Sequence, residues 1–195
     1  MSSSPPASVS LRLPQDWVEL DPRADDVTTE LRHAVAARWA GHDLITEETM
    51  VARLAPPAAE LRRRTTEAYV VVVGFYADVV PVAGTHDPLI VTAHAMLSMS
   101  PPVSSLDDVR RNLGDAAETV TLPSGPAIRA SGPLTIRDGG GEGVLTAYRS
   151  DFHVPVPGTD SVGTLSFLTP NTALASVFDD VFDAVASTLT FGWKN

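Results

Sequence analysis

The run Ser161-Val-Gly-Thr-Leu-Ser-Phe-Leu168, then Thr169-Pro170-Asn171, then Thr172 to Ser187, then Leu189-Thr190-Phe191, decides the architecture of this chain. It reads as a strand, a helix start signal, an amphipathic helix and a closing strand. Within the helix, Leu174, Val177, Phe178, Val181, Phe182 and Val185 recur at helical spacing and form one apolar stripe, while Asp179, Asp180 and Asp183 face away from it. A stripe of that width is expected to pack on the sheet to which the flanking strands belong. The pattern fixes an architecture without fixing a chemistry.

Upstream, the same two periods divide the chain. Val9, Leu11 and Leu13 alternate with polar residues as in a half-buried strand; Pro14 stops it, and Trp17 and Val18 open a second short strand. Val27, Leu31, Ala34, Val35 and Trp39 predict a helix over Asp26–Ala40 that ends at Gly41. Thr46 caps a second helix running through Leu54, and Pro56-Pro57 opens a third that ends in Arg62-Arg63-Arg64. Tyr69-Val-Val-Val-Val-Gly-Phe-Tyr76 is apolar on both faces, as suits the middle of a sheet. Over Leu89–Ser98, Leu89, Val91, Ala93, Ala95 and Leu97 form an apolar face, and Ile90, Thr92, His94 and Met96 a mixed one. Ser104/Ser105 with Asp107/Asp108 form a capping-box start for a helix to about Ala117. From Glu118 onward the chain reads as a meander: Thr119–Leu122, Ala127–Ser131, Leu134–Arg137 and Val144–Val154, with a hairpin loop at Asp138–Gly143 and a breaker at Pro155–Gly158. The fold class is therefore α+β, a mostly antiparallel sheet of six or seven strands with helices packed on its faces.

Composition narrows the function classes. The chain has 195 residues, 44% of them hydrophobic, enough to bury a core without staples. There is no Cys, which removes disulfides, thiolate metal sites and a Cys nucleophile together. The net charge of −10 opposes binding to nucleic acid and to anionic lipid. Only one cation, Lys194, is a lysine; the rest are arginines, as in a GC-rich genome. Met1–Ala7 holds no Lys or Arg and no apolar run of leader length, so residues 1–7 read as a disordered lead and 8–195 as a single domain. The longest apolar stretch, near Val70–Ala77, is too short to span a bilayer, and a cytoplasmic location is expected.

Motif searches end mostly in absences. A phosphate-cradling loop needs Gly-Lys-Ser/Thr, and the glycine run Gly139–Gly143 falls in a hairpin rather than between strand and helix. There is no His-Glu-x-x-His and no nucleophile elbow. The histidines are His33, His42, His86, His94 and His153, with no spacing that gathers a zinc ligand set; no metal and no cofactor is expected. The acidic pairs Asp25/Asp26, Glu47/Glu48 and Asp107/Asp108 sit at helix starts, where the dipole accounts for them. The best polar constellation is Arg149, Asp151 and His153, alternating along one strand opposite Tyr148, Phe152 and Val154. Together with His94, on the polar side of its own strand, these are the candidate binding residues. An Asp–His pair flanked by Arg could hold an anion or do acid–base work, whereas the same alternation also serves to solvate a sheet face.

Leu13-Pro14 with Trp17 at one end, and Leu165-Ser-Phe-Leu-Thr-Pro170, Phe178, Val181-Phe182-Asp183 and Ala186-Ser-Thr-Leu-Thr-Phe191 at the other, resemble the PsbP-like superfamily. That group includes the extrinsic photosystem II subunit, a Ran-binding import factor and actinobacterial lipoproteins of the LpqN type. The likeness covers the chain ends and not the middle. It implies an antiparallel sheet with helices on both faces and binding rather than catalysis, and it transfers no catalytic residue. The chain departs from the lipoproteins in having no Cys to lipidate. The expected function is a non-enzymatic binding or adaptor protein with a protein partner. One alternative is a small-molecule or lipid carrier with a pocket between helices and sheet lined by Trp39, Phe75 and Met96. The other is a hydrolase or isomerase using Asp151 and His153.

Overall fold

A computed structural model describes residues 8–21, 29–30, 32–34, 36, 46, 48–52, 69–84, 88–99, 105–137 and 144–193. Nine strands are present among them: β1 (Ser8–Ser10), β2 (Val18–Leu20), β3 (Tyr69–Val80), β4 (Leu89–Met99), β5 (Ala117–Leu122), β6 (Gly125–Arg137), β7 (Val144–Pro155), β8 (Val162–Thr169) and β9 (Thr190–Gly192). Two helices are described in full, α1 (Leu106–Leu113) and α2 (Ala175–Ala186), and residues 48–52 are also helical. Seven strands form one sheet in the order β2-β3-β4-β8-β7-β6-β5, every neighbouring pair antiparallel. The α+β class and the antiparallel sheet are thus as the sequence indicates. The β5–β8 meander is also as read, and β8 joins it to the β2–β4 meander by pairing with β4.

The face under α2 carries the main core. Phe178, Phe182, Val185 and Ala186 of the helix are buried on Ala95, Leu97, Phe152, Leu165 and Phe167. Phe182 stacks on Phe167 with ring centroids 4.5 Å apart, and Phe152 meets Phe167 edge-on. Burying each such ring fully stabilises the fold by about 1.5–3 kcal/mol. The apolar ridge is as read, except that Val177 is 59% exposed. One residue before Phe178, it lies about 100° round the helix from the buried line.

The opposite face is covered piecemeal. Met50 and Val51 of the helical turn at 48–52 seal a second core of Leu20, Val70, Val73, Phe75, Ala77 and Val79 over β2–β4. Thr46 caps that turn, accepting from the Thr49 N–H at 3.2 Å. At the other end, α1 lies on β6 and β7. It starts in the expected capping box, Ser105 with Asp108, and gives way at Gly114 to a 3-10 turn before β5 begins at Ala117. None of its side chains is fully buried.

Several readings change. The closing strand does not extend the main sheet. β9 pairs with β1 in a separate two-stranded ribbon, Val9 opposite Phe191, and Thr188 Oγ1 accepts from the Arg12 N–H at 2.9 Å. β3 is buried on both faces as expected but lies next to the short edge strand β2 rather than mid-sheet. Its Gly74 leaves room for Leu13 and Trp17, whose side-chain atoms would stand 2.7 and 3.2 Å from an added Cβ. The expected break between Ala127–Ser131 and Leu134–Arg137 is absent: Pro126 and Pro133 both lie inside a continuous β6. The β5 pairing ends at Ala130 and the β7 pairing at Ile128, so each proline sits where one side of β6 has no paired neighbour and its missing N–H disrupts no ladder there. Most of the Asp26–Ala40 helix, the end of the second helix, the whole third helix, the Asp138–Gly143 loop, Trp39, His42 and His86 lie outside the described residues; His33 is helical and exposed.

Candidate functional site: a polar strip on the open face of the sheet

Strand alternation places the site. Along β7, Ser150, Phe152 and Val154 are fully buried toward α2, so Arg149, Asp151 and His153 point to the other face. The register extends this into three cross-strand rows. His94 lies opposite Leu168, and Leu168 opposite Arg149; Met96 is opposite Ser166, and Ser166 opposite Asp151; Ser98 is opposite Thr164, and Thr164 opposite His153. All four sequence-derived candidates therefore share one sheet face. They divide, however: Arg149, Asp151 and His153 are consecutive on β7, while His94 stands two strands away, about 10 Å along the hydrogen-bonding direction. His94 is buried rather than on a polar side, its ring 5.3 Å from that of Phe75 at the margin of the second core.

α1 lies on the same face. Arg110 of α1 donates to Thr119 Oγ1 at 3.1 Å, and Thr119 is paired with Ile128, which is paired with His153. Among the described residues, then, this face has a helical cover over β2–β4 and another over β6–β7. Between them, among the described residues, lies a groove floored by β8 and the adjoining side of β7. Thr164, Ser166, Leu168 and His153 are half-buried along its floor.

The electrostatics of the strip are uneven. Arg149 Nε meets Asp151 Oδ2 at 3.0 Å; the arginine side chain is 40% exposed and the carboxylate only 8%. The other carboxylate oxygen, Oδ1, is buried with no hydrogen-bond partner among the described residues, and so is His153 Nε2. His153 Nδ1 is 3.1 Å from Thr164 Oγ1. Burial holds the imidazole pKa below the usual histidine value, with Arg149 adding to the effect and Asp151 opposing it. Burial therefore favours the uncharged ring. The carboxylate is engaged by Arg149 and the ring by Thr164, so among the described contacts the two do not form a hydrogen-bonded Asp–His dyad of the kind general-base catalysis uses. No group of three or more His, Asp or Glu among the described residues is placed to hold a metal ion.

The α2 face is organised in the opposite way. Arg129, 15% exposed, reaches Asp179 at 2.6 Å and Asp183 at 3.4 Å, and its guanidinium lies 5.5 Å from the centre of the Phe152 ring. Tyr148 donates to Asp179 at 2.7 Å, and Arg129 Nε donates to Ser150 Oγ at 3.3 Å. Asp179 and Asp183 therefore do not simply face away from the sheet, contrary to what their spacing indicates. They lean back over the rim of the helix to a cation that sequence gives no reason to single out. Burial, together with the neighbouring Asp179, Asp180 and Glu118, raises the Asp183 carboxyl above its ordinary pKa, against the pull of Arg129. Burial also raises the Tyr148 phenol.

Of the pocket expected between helices and sheet, Phe75 is core filling and Met96 packs against the same cluster. Thr164 and Ser166, which complete the strip, were not singled out from sequence, although they alternate with buried Leu165 and Phe167. No helix among the described residues is long and apolar enough to cross a membrane.

Comparison with known proteins adds a likeness of fold. No protein-family model and no curated protein matches the chain. Among solved structures it is similar to LpqN, a protein involved in cell envelope biogenesis of Mycobacterium tuberculosis; the two share 15% identity, the alignment covers 97% of this chain and 86% of that one, and the TM-score is 0.44.

Proposed function

We propose that this chain is a non-enzymatic binding or adaptor protein that receives its partner in the groove floored by β8 and β7. The observation that carries the reading is Asp151. A carboxylate 8% exposed, with one oxygen paired and the other unpartnered, costs stability where a hydrophobic residue would add to it. Such a group is retained where an incoming molecule completes its hydrogen bonding. The flanking Arg149, His153, Thr164 and Ser166 supply further polar contacts on a half-exposed floor, and the separate engagement of Asp151 and His153 favours recognition over proton transfer. His94 borders the groove on the β4 side.

The PsbP-like kinship belongs to the same proposal. What supports it is that the two end motifs meet: Trp17 shares a core with Phe178, Phe182 and Leu189, and β1 pairs with β9. A cytoplasmic location is likewise proposed, and cell fractionation tests it. The binding site is tested by NMR on the 15N-labelled chain against a chemically mixed fragment library. Shifts that cluster on residues 149–153 and 164–168 and vanish in Asp151→Asn are expected. Shifts confined to the α2 face, or unchanged by the substitution, would remove the groove from consideration.

A further inference from the structure

The geometry points to a cationic nitrogen group, a primary ammonium or a guanidinium, as the ligand of this groove, with Asp151 as its counter-ion and Arg149 as the internal group it displaces. The inference rests on the groove reading above and specifies its chemistry.

The unpartnered atoms decide the class. Asp151 Oδ1 is an acceptor only. In the tautomer that donates Nδ1–H to Thr164 Oγ1, His153 Nε2 is an acceptor too, and burial of the ring favours that uncharged form. Two buried acceptors on one face call for a ligand with several donors, and ammonium and guanidinium groups are donors without acceptors. An anion would meet the unpaired oxygen of Asp151 and gain only Arg149. The chain's net charge of −10 also draws cations toward it and repels anions.

Arg149 already shows the mode of binding. It lies on Asp151 Oδ2 at 3.0 Å, two residues along the same strand, and its side chain is the solvent-facing half of the pair. The arginine is the half-exposed partner, so an incoming cation can take its place and be held by both carboxylate oxygens. The arrangement makes an unusual demand: removing the positive charge from the site must strengthen binding.

The test titrates the full-length 15N-labelled chain with n-butylamine hydrochloride and with the peptide acetyl-Gly-Arg-Gly-amide, with inorganic phosphate and sorbitol as the anionic and neutral probes. A cationic probe is expected to shift the amides of 149–153 and 164–168. Asp151→Asn should weaken that binding about tenfold or more, the loss of a charge-assisted contact. Arg149→Gln should tighten it about threefold, the release of a competing half-exposed pair. Tighter binding of the amine than of the peptide assigns a free small amine as the source; the reverse assigns a side chain of a partner protein. Arg149→Gln changes a half-exposed side chain and keeps a donor beside Asp151, and a dispersed 15N–1H spectrum checks that it folds, so the test stands even if Asp151→Asn perturbs folding. Weaker binding in Arg149→Gln, or shifts produced only by phosphate or sorbitol, overturns the cationic class and leaves the groove in place. Shifts from every probe that fall elsewhere overturn both.

Discussion

The two faces of one sheet have been put to opposite uses. Under α2 every feature supports cohesion: four stacked or edge-on phenylalanines, a helix with four buried residues, and a half-buried arginine whose partners are all supplied by the fold. On the other face α1 buries no side chain completely, and β7 presents a carboxylate and an imidazole each with a buried unpartnered atom. Both faces contain an Arg–Asp pair. In Arg129–Asp179 the arginine is the shielded partner and Tyr148 backs the carboxylate, whereas in Arg149–Asp151 the carboxylate is the shielded partner and the arginine is 40% exposed. Burial and completeness of hydrogen bonding, rather than residue type, separate a structural ion pair from one available to a ligand.

Four measurements can break or sharpen that contrast. Phe182→Ala removes the centre of the aromatic stack and should destabilise the chain by about 3–5 kcal/mol in chemical denaturation. A loss under about 1 kcal/mol would mean that α2 is not the principal cover. Next, Arg149→Met should cost about 3 kcal/mol by stranding the buried Asp151, while Arg129→Met should cost about 2 kcal/mol, because Asp179 is 29% exposed and keeps Tyr148. Equal costs would erase the distinction between the two pairs. Third, Asp151→Asn should raise the denaturation midpoint, by about 1 kcal/mol of stability, since it removes a half-satisfied buried charge. A clear loss would instead make Asp151 a structural residue.

The smallest effects lie in the pH dependence, where the two faces should slope in opposite senses. Asp183 has a raised pKa, so the folded chain holds its proton more tightly than the unfolded one just above the ordinary value of 3.8. Its contribution to stability therefore declines as pH rises through that window. His153 has a lowered pKa, so the unfolded chain takes up the proton first as pH falls below 6.5, and stability declines on acidification there. Asp183→Asn and His153→Gln should each flatten the slope in its own window and leave the other unchanged, as followed by midpoint against pH.

Local periodicity carried much of this into the sequence. The α2 stripe, the capping box at Ser105/Asp108, the Thr46 cap and the alternation of Arg149, Asp151 and His153 are short-range patterns, and each appears in the fold where its spacing indicates. What the sequence could not show is set by long-range pairing. The β4–β8 register brings His94, Ser166 and Thr164 beside β7, and nothing within any one strand encodes that neighbour. Pro126 and Pro133 read as breaks because proline is excluded from paired positions, but the staggered ends of β5 and β7 left unpaired positions for both. Arg129 went unnoticed for a related reason: its partners are 50 and 54 residues away on a helix whose aspartates look like a solvated edge.

The ribbon that sets Ser8 against Gly192 has a kinetic consequence. It joins segments from opposite extremes of the chain, so its closure entropy is among the largest of any pairing in the molecule. On a ribosome β1 must wait, unpaired, until β9 has emerged. The Leu11, Leu13 and Trp17 segment that follows β1 therefore docks late against a sheet otherwise able to assemble, and amide exchange should find this seam opening well before the β6–β7–β8 centre.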